Sequence, residues 1–528
     1  MTDSKKHIST ILCVGILLAA AILMIRACSM DLPRLLDRLA VDDTFLYLQI
    51  ARNVAHGRGP TFDGLHATNG FQPLWLLATL PLAIVFREPE SFFRACLYLC
   101  AFLNMLTMWV LYGIGFRLGG RTGALSLIGG FLWVLTRWRP FLSGMETSLY
   151  LLIFAIFLRE LLNDRTSASR LSVFGGLLIL CRVDAVIFII AGFLAFKPSS
   201  KQAALRLIIP LILVTAPYFI WNLVSFGSLL PVSGEVKSLY HRQELGADYL
   251  QIGHVTKTFS VYLPRAALSI ADQFATPFNR ICNKRFAPQA LWFCFLSLGS
   301  VFLMRRGTLV MLSLFGILHL FVMAASIGRF SVSVWYYAPL ILLVLIGAAI
   351  GISSLHRLFL RSYFPMTILL ICCMTWFAMW TGWNSLDPVP EKWDLYQRRY
   401  RLAKWLNRHL PSDAIIGSWN SGHLAFFSER TVVNLDGLVN DSNYLRSLEK
   451  RRPVMEYIEK ENIDYIVDYD TVDLSMHPDK TWNSNKQFRG EIPRRRLKII
   501  RKDPRSGKDP HTLYVFEVRS SGHENAKT

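Results

Sequence analysis

The sequence predicts a polytopic α-helical membrane protein with a C-terminal extracytoplasmic α/β domain. Three observations lead to this fold class. The 528 residues are 52% hydrophobic and only 18% charged. Their apolar residues are gathered in runs, several of which approach the roughly 20 residues that a helix needs to cross a bilayer. After residue 382 these runs end, and short alternating segments separated by turn residues take their place.

The first apolar run, 8–28, follows Lys5 and Lys6. Secretory signals and first transmembrane helices share this arrangement. The run has no small-residue cleavage site, and Arg26 interrupts the lipoprotein-like sequence that ends at Cys28. We therefore interpret the run as an uncleaved transmembrane helix.

Ten further apolar runs follow along the chain. They are 71–86, 92–116, 121–136, 145–162, 171–196, 207–226, 288–304, 307–327, 333–352 and 363–382. Small basic clusters lie between several of them, as is typical of cytoplasmic loops. These clusters are Arg117 and Arg121; Arg165 and Arg170; Lys197, Lys201 and Arg206; Arg305 and Arg306; Arg357 and Arg361.

If all these basic clusters are to lie on the cytoplasmic side, two of the runs must be arranged in a particular way. The run 71–86 has to lie in the outer face as an amphipathic or re-entrant segment. The run 171–196 has to form two short crossings, because a single lipid-facing helix with Arg182 and Asp184 at its centre is costly. The result is about 11 transmembrane helices with the C-terminus outside. If 71–86 does cross, the count and the sidedness of the following loops change.

This threading divides the chain into a transmembrane domain, 1–382, and a soluble extracytoplasmic α/β domain, 383–528. The first contains a first external loop at 29–91 and a long external loop at 227–287. In the second, an amphipathic pattern predicts a helix at Trp393–His409. Short apolar runs between turn residues predict strands. These runs are Ala414–Gly417, Thr431–Asn434, Ile463–Val467 and Leu513–Val518.

The net charge of +20 is explained by the basic loops of a membrane protein, and we expect no nucleic-acid partner. The basic run Pro493–Arg496 is either a contact for anionic lipid or glycan or a solvated face. Nearly all nine cysteines lie inside apolar runs and none forms a CxxC pair, so we expect no disulfide framework. The sequence has no P-loop, HExxH motif or nucleophile elbow.

Two adjacent acids, Asp42 and Asp43, introduce an amphipathic run in the first external loop. Leu46, Ile50 and Val54 recur at helical spacing, which predicts a helix lying at the interface. One interpretation is helix capping and dipole compensation. Capping needs only one acid, however, and a carboxylate at the mouth of a membrane cavity can take a proton from an incoming hydroxyl. The residues alone leave both interpretations open.

Other charged residues fall on the same predicted face. Glu146 begins an apolar helix, where a first-turn acid is common. A pairing of Arg182 with Asp184 alone would also explain both charges. Lys237 lies in the long loop, and Arg329 precedes aromatic residues that an interfacial belt would also explain. Cations on this face would suit a lipid-linked phosphate.

An ordered set of motifs over most of the chain resembles the GT-C superfamily of integral membrane glycosyltransferases. The motifs are Val41–Tyr47, Ala51–Asn53, Gly57–Gly59, Asn69–Trp75, Ser143–Thr147, Phe226–Pro231, Trp335–Tyr337 and Asn434–Leu438. They are most similar to the branch of the mycobacterial terminal arabinofuranosyltransferases. Lipid A aminoarabinose transferases and protein O-mannosyltransferases are more distant. Arg182-Val183-Asp184 departs from the more usual Arg-Pro-Glu, which puts a role for Asp184 in doubt.

The resemblance implies a GT-C-like catalytic domain in a bacterial inner membrane. The donor would be a sugar on a polyprenyl phosphate, and the acceptor a hydroxyl of a glycan, lipid or protein at the outer face. The sugar would transfer with inversion during cell-envelope assembly. Whether Asp42, Asp43 and Glu146 bind a divalent cation, Mg²⁺ or Mn²⁺, stays open.

The resemblance also implies roles for residues by position. Asp42 would be the general base, Asp43 would orient it or the acceptor, and Glu146 would be the second acid. The residues expected at the donor phosphate are Arg182, Lys237 and Arg329. The residues expected at the acceptor are Trp335, Tyr336, Trp419 and His423, although core or turn positions would also explain the last two.

Two alternatives belong to other functional classes. A transporter or flippase of a lipid-linked sugar should hold charged groups near the bilayer midplane. A non-catalytic envelope scaffold would bind glycan through its C-terminal domain. Because the acids and cations cluster on one predicted face, the sequence favours the enzyme.

Overall fold

The computed structural model describes residues 2–245, 252–282, 286–303, 307–359, 364–386, 395–470, 482–483, 491–504 and 512–519. The described residues up to 386 are predominantly helical. Their helices are α1 Thr2–Cys28, α2 Leu32–Arg38, α3 Asp42–Ala55, α4 Pro73–Val85, α5 Pro89–Leu135, α6 Thr147–Leu161, α7 Ala168–Cys181, α8 Val186–Phe196, α9 Lys201–Phe226, α10 Val232–Leu245, α11 Ile252–Lys257, α12 Leu263–Cys282, α13 Ala287–Leu303, α14 Gly307–Ile327, α15 Ala338–Phe359 and α16 Phe364–Asn384. The predicted cytoplasmic residues Arg305, Arg306 and Arg361 lie outside the described residues.

Five helical segments in the described part of the chain are long and apolar enough to cross a membrane. They are Thr10–Cys28, Pro89–Leu135, Lys201–Phe226, Gly307–Val332 and Val334–Leu358. Shorter apolar helices include α4, α7 and α13. The chain is therefore a multi-pass membrane protein, as predicted. The number of crossings and the sidedness of the loops stay predictions.

Helix α5 joins two of the predicted apolar runs through a sharp reversal at Gly119 and Gly120. Gly120 has a positive φ of 63°, a conformation that favours glycine. A Cβ atom on Gly115 would lie 2.6 Å from the carbonyl oxygen of Gly123. Residues eight apart in a straight helix would be separated by about 12 Å, so the two halves of α5 fold back on each other. Glycine at this contact allows the two backbones to meet.

The chain also breaks where the charged residues predicted a break. Helix α7 ends at Cys181, a 3₁₀ turn spans Val183–Ala185, and α8 begins at Val186. The predicted run 71–86 forms α4, whose 13 residues are shorter than a spanning helix needs. Whether α4 lies in the interface stays a prediction.

The C-terminal part contains a five-stranded sheet flanked by helices. Its elements are α17 Leu395–His409, β1 Ile415–Ser418, α18 Gly422–Ser428, β2 Thr431–Asn434, α19 Ser442–Glu449, α20 Val454–Lys460, β3 Tyr465–Asp470, β4 Trp482–Asn483, β5 Glu491–Ile492, β6 Leu497–Asp503 and β7 Thr512–Val518. The sheet order is β2-β1-β3-β7-β6, with β1 parallel to β2 and β3 and with β7 antiparallel to both neighbours. Strands β4 and β5 pair separately. The predicted helix and the four predicted strands are all present, although Trp393 lies outside the described residues.

The sheet-containing part packs directly on α3 and on the segment that follows it. Arg52 donates to the carbonyl of Phe426 at 3.0 Å, and the Thr68 hydroxyl donates to the carbonyl of Asn440 at 3.1 Å. The approach is closest at Gly70, where a Cβ atom would lie 2.1 Å from the Leu438 carbonyl oxygen. This contact brings two sequence motifs, near Asn69 and near Asp436, against each other.

A charged contact at this junction gives a pH-dependent prediction. His66 bonds Asp63 at 2.8 Å within its own loop and Glu461 of the C-terminal part at 3.0 Å. The hydrogen bond to Asp63 raises the pKa of His66 to about 9, with further support from the charge of Glu461. Because the folded pKa lies above the unfolded value of 6.5, this stabilisation is fully present below pH 6.5 and lost as the pH rises to about 9.

We expect His66→Gln to remove on the order of 2 kcal/mol at pH 6 and much less at pH 9. Thermal unfolding of the purified protein across this pH range measures the difference. His56→Gln, an exposed histidine in the same loop, is the control. An equal loss of stability at both pH values would contradict the assigned protonation.

Candidate active site

The adjacent acids of the first loop lie in the first turn of α3. Val41 is the extended residue before the helix, so neither aspartate occupies the cap position itself. The Thr44 hydroxyl donates to the Ser143 carbonyl at 2.8 Å and ties this turn to the segment before α6. Because Asp42 and Asp43 are consecutive helical residues, their side chains diverge by about 100° and meet different surroundings.

Asp42 faces the C-terminal part. Its carboxylate accepts hydrogen bonds from Nδ1 of His423 at 2.9 Å, from the backbone N–H groups of Gly422 and His423 at 3.2 Å, and from Arg399 at 3.3 Å. Burial opposes ionisation, but the bond from His423 and the charge of Arg399 prevail and lower the pKa of Asp42 to about 2. A carboxylate held ionised by this many donors is a weak base. The geometry therefore argues against the predicted role of Asp42 as the general base.

Asp43 faces a cationic group instead. Its carboxylate lies 3.9 Å from Nζ of Lys237, and 27% of its side chain is exposed. Burial raises the pKa of Asp43; the charge of Lys237 lowers it and that of Asp42 raises it further. A partly accessible carboxylate with a raised pKa has the properties of a general base.

A cationic group beside Asp43 consists of three side chains that are distant in sequence: Lys237, Tyr336 and Arg182. Nζ of Lys237 donates to the Tyr336 hydroxyl at 3.0 Å. The guanidinium of Arg182 lies 4.6 Å from the centre of the Tyr336 ring. Of the predicted phosphate ligands, Lys237 and Arg182 thus come together around Tyr336. Tyr336 itself belongs to this group and is almost fully buried, which is unlike the open aromatic surface expected for an acceptor.

Arg182 is also the centre of a buried ionic network. It donates to Glu146 at 2.7 Å and to Asp184 at 3.1 Å, and Asp184 in turn bonds His319 at 2.8 Å. Glu146 is fully buried, and its second oxygen has no hydrogen-bond partner. Asp184, whose role was in doubt because its motif departs from Arg-Pro-Glu, therefore has a structural role: it holds Arg182 in place. Two carboxylates already neutralise Arg182, which leaves Lys237 as the cation closest to Asp43.

Other predicted site residues lie elsewhere. Trp419 is buried in the core of the C-terminal part with Val433 and Phe516, so it presents no surface to an acceptor. His423 is fully buried against Asp42 and likewise presents no surface to a glycan. The burial of these two side chains does not support the acceptor assignments, which were made because turn-rich sequence was taken as exposed and which stay predictions.

Arg329 does not join the cationic group beside Asp43. It lies 3.6 Å from Glu244, seven residues or two helical turns beyond Lys237 on α10. Trp335 is half-buried next to Tyr336, with ring centres 6.2 Å apart, and its acceptor role stays a prediction.

Three features of the site were not predicted from the sequence: the contact of Arg399, the position of Tyr47 and the surroundings of Asp436. Arg399 lies on the apolar face of α17, four residues after Leu395 and three before Leu402, and a charge in that position signals a buried partner. Tyr47, one turn after Asp43, lies among Asp43, Glu146 and Arg182, all of which affect the pKa of its phenol. Tyr47 ends the motif Val41–Tyr47, but nothing in that motif assigns its phenol a role.

Asp436 lies close to the same acids. Its carboxylate accepts from the backbone N–H of Leu438 at 2.8 Å, and the Tyr240 hydroxyl donates to its carbonyl at 3.2 Å. Burial raises the pKa of Asp436 to about 8, and the charges of Asp42 and Asp43 add to the rise. The motif Asn434–Leu438 thus reaches the site from the C-terminal part.

The three carboxylates proposed for a divalent cation do not converge. Asp42 is held by Arg399 and His423, and Glu146 by Arg182. Within the described ranges, no group of three or more His, Cys, Asp or Glu side chains has the arrangement of a metal site. The residues present therefore do not fit Mg²⁺ or Mn²⁺ at this position.

Comparisons with known proteins agree with this architecture. Residues 391–514 match a family model described as a domain of unknown function, DUF8728. No curated protein matches the chain. A crystal structure of ArnT from Cupriavidus metallidurans bound to undecaprenyl phosphate is similar, with 13% identity and a TM-score of 0.57 over 96% of this chain and 98% of that one. The apo structure of ArnT from the same organism gives 12% identity and a TM-score of 0.56, over 96% and 97%.

These structures bear on the fold. The likeness extends over nearly the whole chain, from the membrane helices to the C-terminal sheet. The predicted fold class, a polytopic helical membrane protein with a C-terminal sheet-containing domain, is confirmed, and its overall fold is like that of ArnT. At such low identity the likeness shows the fold alone.

Proposed function

We propose that this protein is a GT-C-type membrane glycosyltransferase that uses a polyprenyl-phosphate sugar. The observation that carries the proposal is Asp43, a partly exposed carboxylate 3.9 Å from Lys237 at the edge of the membrane helices. A base and a cation in contact suit a reaction in which a hydroxyl loses a proton while a phosphate leaves. That a protein with this fold, ArnT, has been crystallised with undecaprenyl phosphate supports a lipid-linked donor.

In the proposed reaction, Asp43 takes the proton of the acceptor hydroxyl. The hydroxyl oxygen forms a bond to the anomeric carbon, the bond from that carbon to the phosphate oxygen breaks, and polyprenyl phosphate leaves with the electron pair. Attack from the face opposite the phosphate inverts the anomeric carbon. Lys237 stabilises the charge that develops on the phosphate. Arg182, neutralised by Glu146 and Asp184, positions Tyr336 and through it Lys237.

The remaining features of the proposal come from the sequence motifs. They support the mycobacterial arabinofuranosyltransferase-like branch, a bacterial inner membrane, and a site on its extracytoplasmic side. They also support the domain division at 382/383 and an acceptor in a cell-envelope glycan, glycolipid or glycoprotein. No step of the proposed reaction passes through a metal ion.

Asp42 has a positioning role in this proposal, because it anchors the C-terminal part beside Asp43. We expect Asp42→Asn to weaken the contacts with Arg399 and His423 and to destabilise the protein by about 2 kcal/mol. Transfer should fall less than tenfold. Thermal unfolding and the rate of transfer measure the two effects. Asp31→Asn, which changes an exposed aspartate paired with Arg34, is the control and should affect neither.

A transfer assay with purified protein tests the proposed function. Short polyprenyl-phosphate sugars of several kinds are offered with a crude envelope extract as acceptor, and release of polyprenyl phosphate is measured. We expect release from one donor by the native protein. Absence of release from every donor, with folded protein and a competent extract, would overturn the proposal and favour transport or a scaffold.

A further inference from the structure

A second basic site lies on the other side of the paired acids. It is a pocket of about 430 Å³ lined by Arg38, Arg137 and Arg139, together with Asp37, Asn279 and Ser385. The three arginines are half-buried and come from two separate segments, the end of α2 and the turn after α5. Three guanidinium groups against two carboxylates, Asp37 and the Arg137 partner Asp272, leave the site with a net positive charge. Guanidinium groups favour phosphate through paired, charge-assisted hydrogen bonds.

Partners behind the pocket hold two of these arginines in place. Arg137 pairs with Asp272 of α12, and Asn279 donates to the other oxygen of that carboxylate at 2.7 Å. Arg139 donates to the carbonyl of Asp37. The lining is therefore preorganised, which reduces the entropy lost when a ligand binds.

An apolar groove lies next to this pocket, because Phe286 of the groove donates its backbone N–H to the Asn279 side chain of the pocket at 2.7 Å. It has a volume of about 590 Å³ and lies between the second half of α5 and helices α12, α13, α15 and α16. Trp133, four residues before Arg137, lines the groove and donates to the Phe274 carbonyl at 2.9 Å. Gly129 and Gly130 leave the space along α5 that forms the groove. A basic pocket next to an apolar groove matches the two parts of a lipid with an anionic head.

The pocket is connected to the paired acids by a short series of contacts. The Arg139 guanidinium lies 5.5 Å from the Tyr396 ring centre, Tyr396 stacks on His423 at 4.8 Å, and His423 bonds Asp42 at 2.9 Å. Lys237 approaches from the Asp43 side instead. The two acids thus have one cationic group on each side. A transfer reaction needs two such binding sides, one for the donor and one for the acceptor.

We infer that the pocket of Arg38, Arg137 and Arg139, with its groove, binds the acceptor, and that the acceptor is a membrane lipid with a phosphate-bearing head. The phosphate contacts the arginines, an acyl chain occupies the groove, and the hydroxyls of the head extend past Tyr396 toward Asp43. This inference rests on the proposed function, but the binding it requires can be measured without transfer.

Native mass spectrometry of the purified protein tests the binding. The probe is phosphatidylglycerol, compared with a diacylglycerol that has the same acyl chains. We expect preferential retention of phosphatidylglycerol and a loss of about tenfold in its affinity in the Arg38→Gln/Arg139→Gln variant. Arg34→Gln/Arg87→Gln, which changes two exposed arginines, is the matched control and should bind as the native protein does. Equal retention of the two lipids, or equal binding by both double variants, would overturn the inference.

Photocrosslinking of the native protein locates the lipid independently of the folding of any variant. Phosphatidylglycerol with a diazirine in its acyl chain should label α5, α15 or α16 along the groove. Gly129→Leu should reduce this labelling severalfold, because the longer side chain occupies the groove, whereas Gly299→Leu on α13 should not. Labelling that falls elsewhere, or that Gly129→Leu leaves unchanged, would contradict the site.

Competition with undecaprenyl phosphate tests whether the pocket and groove bind the acceptor or the donor. If undecaprenyl phosphate displaces the labelled lipid from the groove as effectively as phosphatidylglycerol does, the site belongs to the donor and the inference is wrong. We expect instead that Lys237→Gln weakens the binding of undecaprenyl phosphate and leaves the binding of phosphatidylglycerol unchanged. Lipid binding without any sugar transfer would overturn the proposed function alone, and transfer without lipid binding here would overturn this inference alone.

Discussion

Replacing Asp43 by Asn should lower sugar transfer by about 10²- to 10⁴-fold, the usual contribution of a general base. The change removes the carboxylate but keeps the shape of the side chain. It also leaves the contacts of Asp42 with Arg399 and His423 in place. The amount of folded protein should therefore stay near the native value. The comparison of Asp43→Asn with Asp42→Asn in one transfer assay measures the effect, with thermal unfolding as the check on folding.

The two aspartates also predict a pH profile. The pKa of Asp43 is raised by burial and by the charge of Asp42, whereas the pKa of Asp42 is lowered to about 2. A base must be deprotonated to act, so kcat/KM should rise with pH through the raised pKa of Asp43 and then level. If Asp42 were the general base, kcat/KM would instead stay constant on the acid side down to about pH 2. If Asp42→Asn removed transfer and Asp43→Asn retained it, the assignment would be reversed.

The transmembrane architecture could be predicted because its causes are local. Apolar runs set the helices, Gly119 and Gly120 separate the two halves of α5, and Arg182 with Asp184 marks the break between α7 and α8. Strands such as Thr431–Asn434 are also visible as short alternating runs. Each of these features depends on residues that are close in sequence.

The site could be predicted only in part because its contacts are distant in sequence. Asp42 and Arg399 are 357 residues apart, and nothing near Asp42 shows that another part of the chain surrounds it. The two side chains are similarly exposed, 20% for Asp42 and 27% for Asp43, and differ in their surroundings. Donors of the C-terminal part hold Asp42 ionised, whereas Asp43 faces Lys237. Burial of Trp419 and His423 was missed for the same reason, since a turn-rich sequence does not reveal what packs on it.

The buried network around Arg182 should be the most sensitive element of the membrane domain. Arg182→Met would leave Glu146, which is fully buried, without the guanidinium that it bonds at 2.7 Å. Removing one partner of a buried ion pair typically costs about 3–5 kcal/mol, so most of the folded protein should be lost. Arg117→Met, which breaks an exposed pair with Asp164, should cost about 0–1 kcal/mol and serves as the control.

Neutralising the remaining partner should restore part of that stability. In Arg182→Met/Glu146→Gln no unpaired charge stays at the position of Glu146, and Asp184 keeps its bond to His319. The double variant should therefore be more stable than Arg182→Met alone, and thermal unfolding of both in the same detergent measures the coupling. A restored fold with weak transfer would agree with a positioning role for Arg182. If Arg182→Met instead folds as well as the native protein and loses only transfer, Arg182 contacts the donor phosphate itself, and the ion pair is not what maintains this part of the fold.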